Sequence, residues 1–379
     1  SACTFINSEL TANTAMSGGA ALCAVDATQL FLHNVLINSN VVSSHTGRGA
    51  GIYIPPKNSI MIENFIQNIN VQRMDKSSVL VASDLTIRNN FIYGAGSEGG
   101  GWYIGTGTVR ASCISFTSNE AGNGGMAYIS EAHVLINCSK ADNLVSESVA
   151  QKNGGGFFVD KYAIVEVSNF VVRNSFAKDS GGFVYMQSGS ELYMRNCHVD
   201  DSKADGDGGS FALANSRTVL ELSSSTVSNS TSGKNSNGGV FLVTDGAELI
   251  THWVNITNNY DGTEASTVHA SHGGCIAAMS FSKMRLSHTI VKDCGTKDGK
   301  GGGIFVGKGT NLLMQNSHMS NCYANSGGAL NLEEGEHTIQ NSVISKNYAE
   351  YEGGAIFAAE NANLLILGSL FSNNFALFF

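Results

Sequence analysis

The chain has 379 residues, a net charge of -9 and only 14% charged residues, with no basic run that could neutralise phosphates, so nucleic acid is not expected as a partner. Apolar residues make up 42% of the chain, enough for a continuous core. No stretch approaches the roughly 18 consecutive apolar residues of a spanning helix, and the first residues lack a charged start followed by an apolar run; neither membrane insertion by this segment nor a signal peptide within it is expected.

Taken in order, the chain repeats a two-glycine step followed by a short apolar strand, as in Gly99-Gly100-Gly101-Trp102-Tyr103-Ile104 and Gly154-Gly155-Gly156-Phe157-Phe158-Val159. First glycines stand at 18, 49, 99, 124, 154, 181, 208, 238, 273, 301, 327 and 353, at intervals of mostly 25 to 31 residues. The long gap from 49 to 99 is assigned a degenerate unit in which Ser77-Ser78-Val79-Leu80-Val81 replaces the step, for about thirteen units in all. Such a period marks a solenoid. Residues 1–379 are therefore read as one continuous β-helix segment of a longer chain, because neither end has the polar capping unit of a self-contained solenoid.

Within a unit, the strand after the step leads to an alternating segment such as Leu192-Tyr193-Met194-Arg195-Asn196. A third short strand such as Ile344-Ser345-Lys346-Asn347 follows. Alternation of period two bounded by Gly, Asn, Ser and Asp belongs to strands and turns, and no window carries a helical apolar stripe. Three short strands in about 27 residues make one coil of a parallel β-helix, each strand pairing with its copy in the next coil. Stacked copies predict ladders. Asn7, Asn34, Asn64, Asn89, Asn169, Asn196, Asn316 and Asn341 are assigned to one position, and Asn13, Asn40, Asn70, Asn119, Asn259, Asn347 and Asn374 to another. An amide both donates and accepts, so a column of Asn bonds its copies and satisfies turn backbone. Tyr323, Tyr348 and Phe375, each followed by alanine, form a third column.

The Gly-Gly-Ala-aliphatic step (Gly327-Gly328-Ala329-Leu330, Gly353-Gly354-Ala355-Ile356), combined with Phe-x-x-Asn (Phe116 to Asn119, Phe371 to Asn374), resembles the repeats of polymorphic outer membrane proteins. Similar repeats occur in right-handed β-helix surface proteins of protists. The resemblance implies right-handedness and a cell-surface or secreted passenger, often adhesive. The C-terminal membrane barrel of the bacterial members is not expected within these 379 residues.

Few residues form a pattern that points to chemistry. Asp201, Asp205 and Asp207 in the densest acidic stretch are weak candidates for a metal site, with solvated turn acids as the default. Paired His252 and His288 fall near one ladder position without a third ligand in register. No cofactor is expected. Asn137, Asn229 and Asn255 head Asn-x-Ser/Thr sequons that could carry glycans in a secreted protein. Cys113 and Cys138 fall at one repeat position, and Cys294 and Cys322 at another. Each pair is read as an inter-coil disulfide or as stacked buried thiols.

Apolar residues at the third and fifth positions after the first glycine make one strand face the core. The fourth position points the other way yet holds Tyr53, Tyr103, Tyr128, Phe158, Tyr185, Phe305 and Phe357. This stripe is the candidate partner-binding surface, for another protein, a second copy, further coils or sugar rings, unless loops of the same chain cover it. The expectation is a non-enzymatic structural or adhesive segment of an extracellular, cell-surface or appendage protein. A polysaccharide-processing enzyme of the same fold is the alternative.

Overall fold

The computed structural model describes residues 2–24, 29–55, 79–138, 143–257 and 271–377. They divide into two compact units, Ser1–Phe176 with Ser190–Tyr193 and Ala177–Gly189 with Met194–Phe379. Each unit is a stack of coils with parallel strand pairing, and no helix occurs among the described residues. The chain is an all-β parallel solenoid of about twelve turns.

The glycine step is a corner that only glycine can make. Its first glycine is left-handed, at φ 69° for Gly99, and a Cβ there would lie 1.9 Å from the Trp102 carbonyl oxygen. The second glycine faces the next coil, where a Cβ on Gly125 would stand 2.4 Å from the Gly155 oxygen. In the first coil the left-handed residue is Gly19, not Gly18, which lies in register with Arg48 and Glu98. The strands that follow, Trp102–Ile104, Ala127–Ser130 and Phe157–Asp160 in the first unit, pair residue for residue and form the step sheet.

The next strands form a broader sheet whose long members, such as Gln29–Asn38 and Val79–Arg88, bend at one left-handed residue. That bend collects Asn7, Asn34, Asp84, Cys113 and Asn169 in the first unit. Asn196, Ser224, Trp253, His288, Asn316, Asn341 and Gly368 collect there in the second. Asn, Asp and Gly tolerate this conformation best. Asn89 belongs to a second left-handed column with Ser39 and Ser118, and Asn64 lies outside the described residues.

Register also removes the thirteenth coil. Leu80 pairs with Leu30 and Val109, whereas Ile52 pairs directly with Trp102. Val79–Val81 therefore belong to the broad sheet, and between Gly49 and Glu98 the described residues supply one strand to the step sheet, Ile52–Ile54, and one long strand to the broad sheet, Val79–Arg88. Sequence spacing suggests an extra turn here because the interval from Gly49 to Gly99 is far longer than the others, while the register on both sides is that of neighbouring coils.

Inside, aromatic and aliphatic residues stack in columns: Phe211 lies 4.9 Å from Phe241 with rings 6° from parallel, and Trp102 meets Phe116 edge-on at 5.1 Å. Tyr323, Tyr348 and Phe375 stack at 5.3 and 5.9 Å. The buried amide column of the first unit is Asn13, Asn40, Asn90 and Asn119. Asn13 donates to Asn40 at 2.8 Å, Asn40 to Asn90 at 2.8 Å and Asn90 to Asn119 at 2.9 Å. Each acceptor oxygen also takes a backbone N–H, as Asn90 Oδ1 does from Asn40 at 3.2 Å. Asn70 and Asn259 lie outside the described residues.

Asn90→Ala would remove the acceptor shared by the Asn40 backbone N–H and side-chain amide, leaving that amide only the Leu10 oxygen, and would take one donor from the Asn119 carbonyl, in a site closed to water. A loss of roughly 2–4 kcal/mol is expected in denaturant unfolding. An unchanged midpoint would show that the column does not stabilise the stack.

Candidate functional surface

The fourth position after each first glycine points out of the step sheet, as strand alternation demands. In the first unit Tyr53 and Tyr103 have ring centroids 5.3 Å apart, Tyr103 and Tyr128 stack at 5.3 Å, and Tyr128 and Phe158 at 4.9 Å. These rings are not open surface: Tyr103, Tyr128, Phe158 and Phe305 are only 3 to 6% exposed, and Tyr53, Tyr185 and Phe357 are half-buried. The column that precedes the glycine corner helps to cover them. The Arg48 guanidinium lies 4.9 Å from the Tyr103 ring centroid and is held by Glu98 at 2.8 Å, while the His272 ring stacks on Phe305 at 4.5 Å. For these four rings the expected partner-binding stripe is corrected: most of their outer surface is already in contact with the chain itself.

Burial tunes the stripe. It pushes the Tyr103 phenol up to about 12, against the opposing charge of Arg48. Burial, with the Asp160 carboxylate next in weight, raises Tyr128 further still, so its hydroxyl stays protonated and donates to Asp160 Oδ2 at 3.0 Å. In the second unit the stripe is interrupted by Asn331, in register between Phe305 and Phe357. Asn331 is fully buried, and neither amide atom has a hydrogen-bond partner. The Lys300 ammonium and Glu333 carboxylate pair at 3.7 Å, with Glu333 two residues along from Asn331.

The acidic candidates do not converge. Asp205 pairs with Lys203 at 3.6 Å, Asp207 Oδ1 accepts the Asn237 N–H, and Asp201 occupies a left-handed corner. Among the described residues no group of three His, Cys, Asp or Glu could hold a metal ion. His252 is in register with Ser287, one residue off the expected match, and His288 instead stacks on Trp253 at 4.1 Å. Of the sequon asparagines, Asn137 is exposed and accepts from Ser168 at 2.7 Å. Asn229 donates to Asp200 at 2.8 Å, and Asn255 accepts from Thr257 at 3.3 Å.

Cys113 and Cys138 are bonded between neighbouring coils, with Cα atoms 4.7 Å apart. The second expected pair is not. Cys294 is bonded to Cys275, 19 residues earlier, leaving Cys322 as a free, buried thiol. Cys275 follows the two-glycine corner and the same coil brings Cys294 back within 5.5 Å across its interior. A match at one repeat position cannot reveal a bond that closes within a coil.

One surface feature has no counterpart in the sequence reading. Turns between the step and broad sheets of three successive coils border an open depression of about 750 Å³, with Glu131, His133, Lys161, Tyr162 and Ile164 in its walls. His133 Nε2 lies 2.8 Å from Glu166 Oε1. The readable signal is Asp160-Lys161-Tyr162, where turns of other coils hold Ser188-Gly189 or Asp245-Gly246.

Residues 219–378 match the family described as right-handed β-helix region. Comparison with curated proteins and with solved structures returns no match. With that likeness and the observed pairing, the fold is a right-handed parallel β-helix.

Two outcomes are expected. Burial pushes the Cys322 thiol up to about 12, so alkylation of the native protein should modify Cys3 and spare Cys322 and buried Cys197. A non-reducing digest should then yield linked 113–138 and 275–294 peptides; a 294–322 peptide would contradict the pairing. Asn331→Leu should raise stability by about 1–2 kcal/mol by removing an unpaired buried amide from an apolar column. A fall in the unfolding midpoint would show that the amide is satisfied in solution.

Proposed function

We propose that the chain is a non-enzymatic structural or adhesive β-helix segment of an extracellular or cell-surface protein, with repeats of the polymorphic outer membrane protein type. The observation that carries this reading is the outer face of the step sheet. Its side chains contact one another: Tyr103 under Arg48, Tyr128 on Asp160, Phe305 under His272. A groove that processes a polysaccharide needs side chains free to meet substrate, and the contacts on this face serve the stack instead.

Two further features support it. Bonded Cys113–Cys138 and Cys275–Cys294 fit an oxidising compartment, and exposed Asn137 is open to glycosylation there.

Antibodies against the chain should label intact, unpermeabilised cells, and incubation with plant, bacterial and animal polysaccharides should release no new reducing ends or unsaturated products. Labelling only after permeabilisation would remove the surface assignment. Sugar release above a heat-killed control would replace this reading with the enzymatic one.

A further inference from the structure

The turn at Lys161-Tyr162 is strained and costs stability that the fold itself does not require. Both residues are left-handed, at φ 47° and 60°. The corresponding turns at Ser188-Gly189 and Asp245-Gly246 place glycine second, as this geometry favours. Tyr162 carries a Cβ and a large ring there, and its side chain is not spent on the core, for the residue is 69% exposed. Strain and exposure alone do not assign a role, since Phe281 shares both; Tyr162 in addition lines the depression together with charged side chains.

The turn is also pinned. Asp160, only 5% exposed, accepts the Tyr128 hydroxyl on Oδ2 at 3.0 Å and the Lys161 N–H on Oδ1 at 2.8 Å. Its backbone oxygen accepts the Ala163 N–H at 3.1 Å, and the Lys161 oxygen accepts the Glu131 N–H at 3.2 Å. Register explains why the ring stands clear: Ile129 matches Val159 but His133 matches Ile164, so this coil has one residue more in its turn than the coil before it. Tyr162 thus lines the depression with Ile164, Glu131, Lys161 and His133, the last paired with Glu166.

We infer that this depression binds a neutral glycan, with one hexopyranose ring stacked on Tyr162 and its hydroxyls met by Glu131, Lys161 and His133. A pyranose presents a flat C–H face and a rim of hydroxyls, which matches one exposed ring among donors and acceptors of both signs. An anionic ligand would face the carboxylate of Glu131, and a cationic one the ammonium of Lys161. The site rests on the adhesive reading only in that the sugar is held and not cleaved.

The test uses the whole chain on an array of neutral gluco-, galacto- and manno-oligosaccharides, followed by calorimetric titration of the best binder. Wild type should bind at least one. Tyr162→Gly should weaken binding at least tenfold while raising Tm by about 2 °C, because the strained side chain is gone. Phe281→Gly is the control: Phe281 is equally left-handed, at φ 62°, and 71% exposed, but lies in the other unit, so it should gain stability and bind as wild type. No retention of any neutral sugar, full affinity in Tyr162→Gly, or preference for sulfated or sialylated sugars would overturn the proposal. Binding accompanied by cleavage would leave this site standing and overturn the non-enzymatic function instead.

Discussion

Coil-on-coil pairing depends on the chain turning at the same places every time around, and left-handed residues make those turns. Gly99 and Gly125 show how strict the glycine corner is, since a single Cβ would collide with backbone of the same or the next coil. The two other corners are more permissive, accepting Asn, Ser, Asp, Cys, His and even Trp253. Each non-glycine residue there costs conformational energy, which pairing on both neighbouring coils offsets.

Once corners are in register, side chains are forced into columns, and each column needs one chemical solution repeated. Inward positions take apolar residues that stack on their copies, such as Phe211 on Phe241. The buried turn position needs a group that donates and accepts, hence Asn13, Asn40, Asn90 and Asn119. Where Cys322 stands there instead, its N–H still finds the amide oxygen of Asn347 at 2.9 Å. Outward positions are freer, and there the chain spends aromatic rings on one another, with Arg48 and His272 as cover. This self-contact makes the face a wall of the stack and moves the candidate ligand surface to the turns beside it. A turn can be lengthened by one residue without disturbing the register, so turns are where a solenoid can acquire a site.

The repeat, the parallel β-helix class, the inward positions and most members of the amide and aromatic columns were legible in the sequence, because each is a property of identical environments spaced one coil apart. Periodicity says nothing about contacts that break the period. It misplaced Val79–Val81 in an extra coil, matched His252 with His288 one residue out of register and took Asn89 for the wrong column when its neighbour Asn90 is the buried one. Tertiary structure alone decided that Cys294 closes on Cys275 within its own coil, that outward-pointing Tyr103 and Phe158 are nonetheless buried, and that Tyr162 is strained and exposed above a depression. The physical reason is common to all three: a strand pattern determines which way a side chain points. What it meets there is set by turns and neighbouring coils whose spacing in the sequence carries no trace of the encounter.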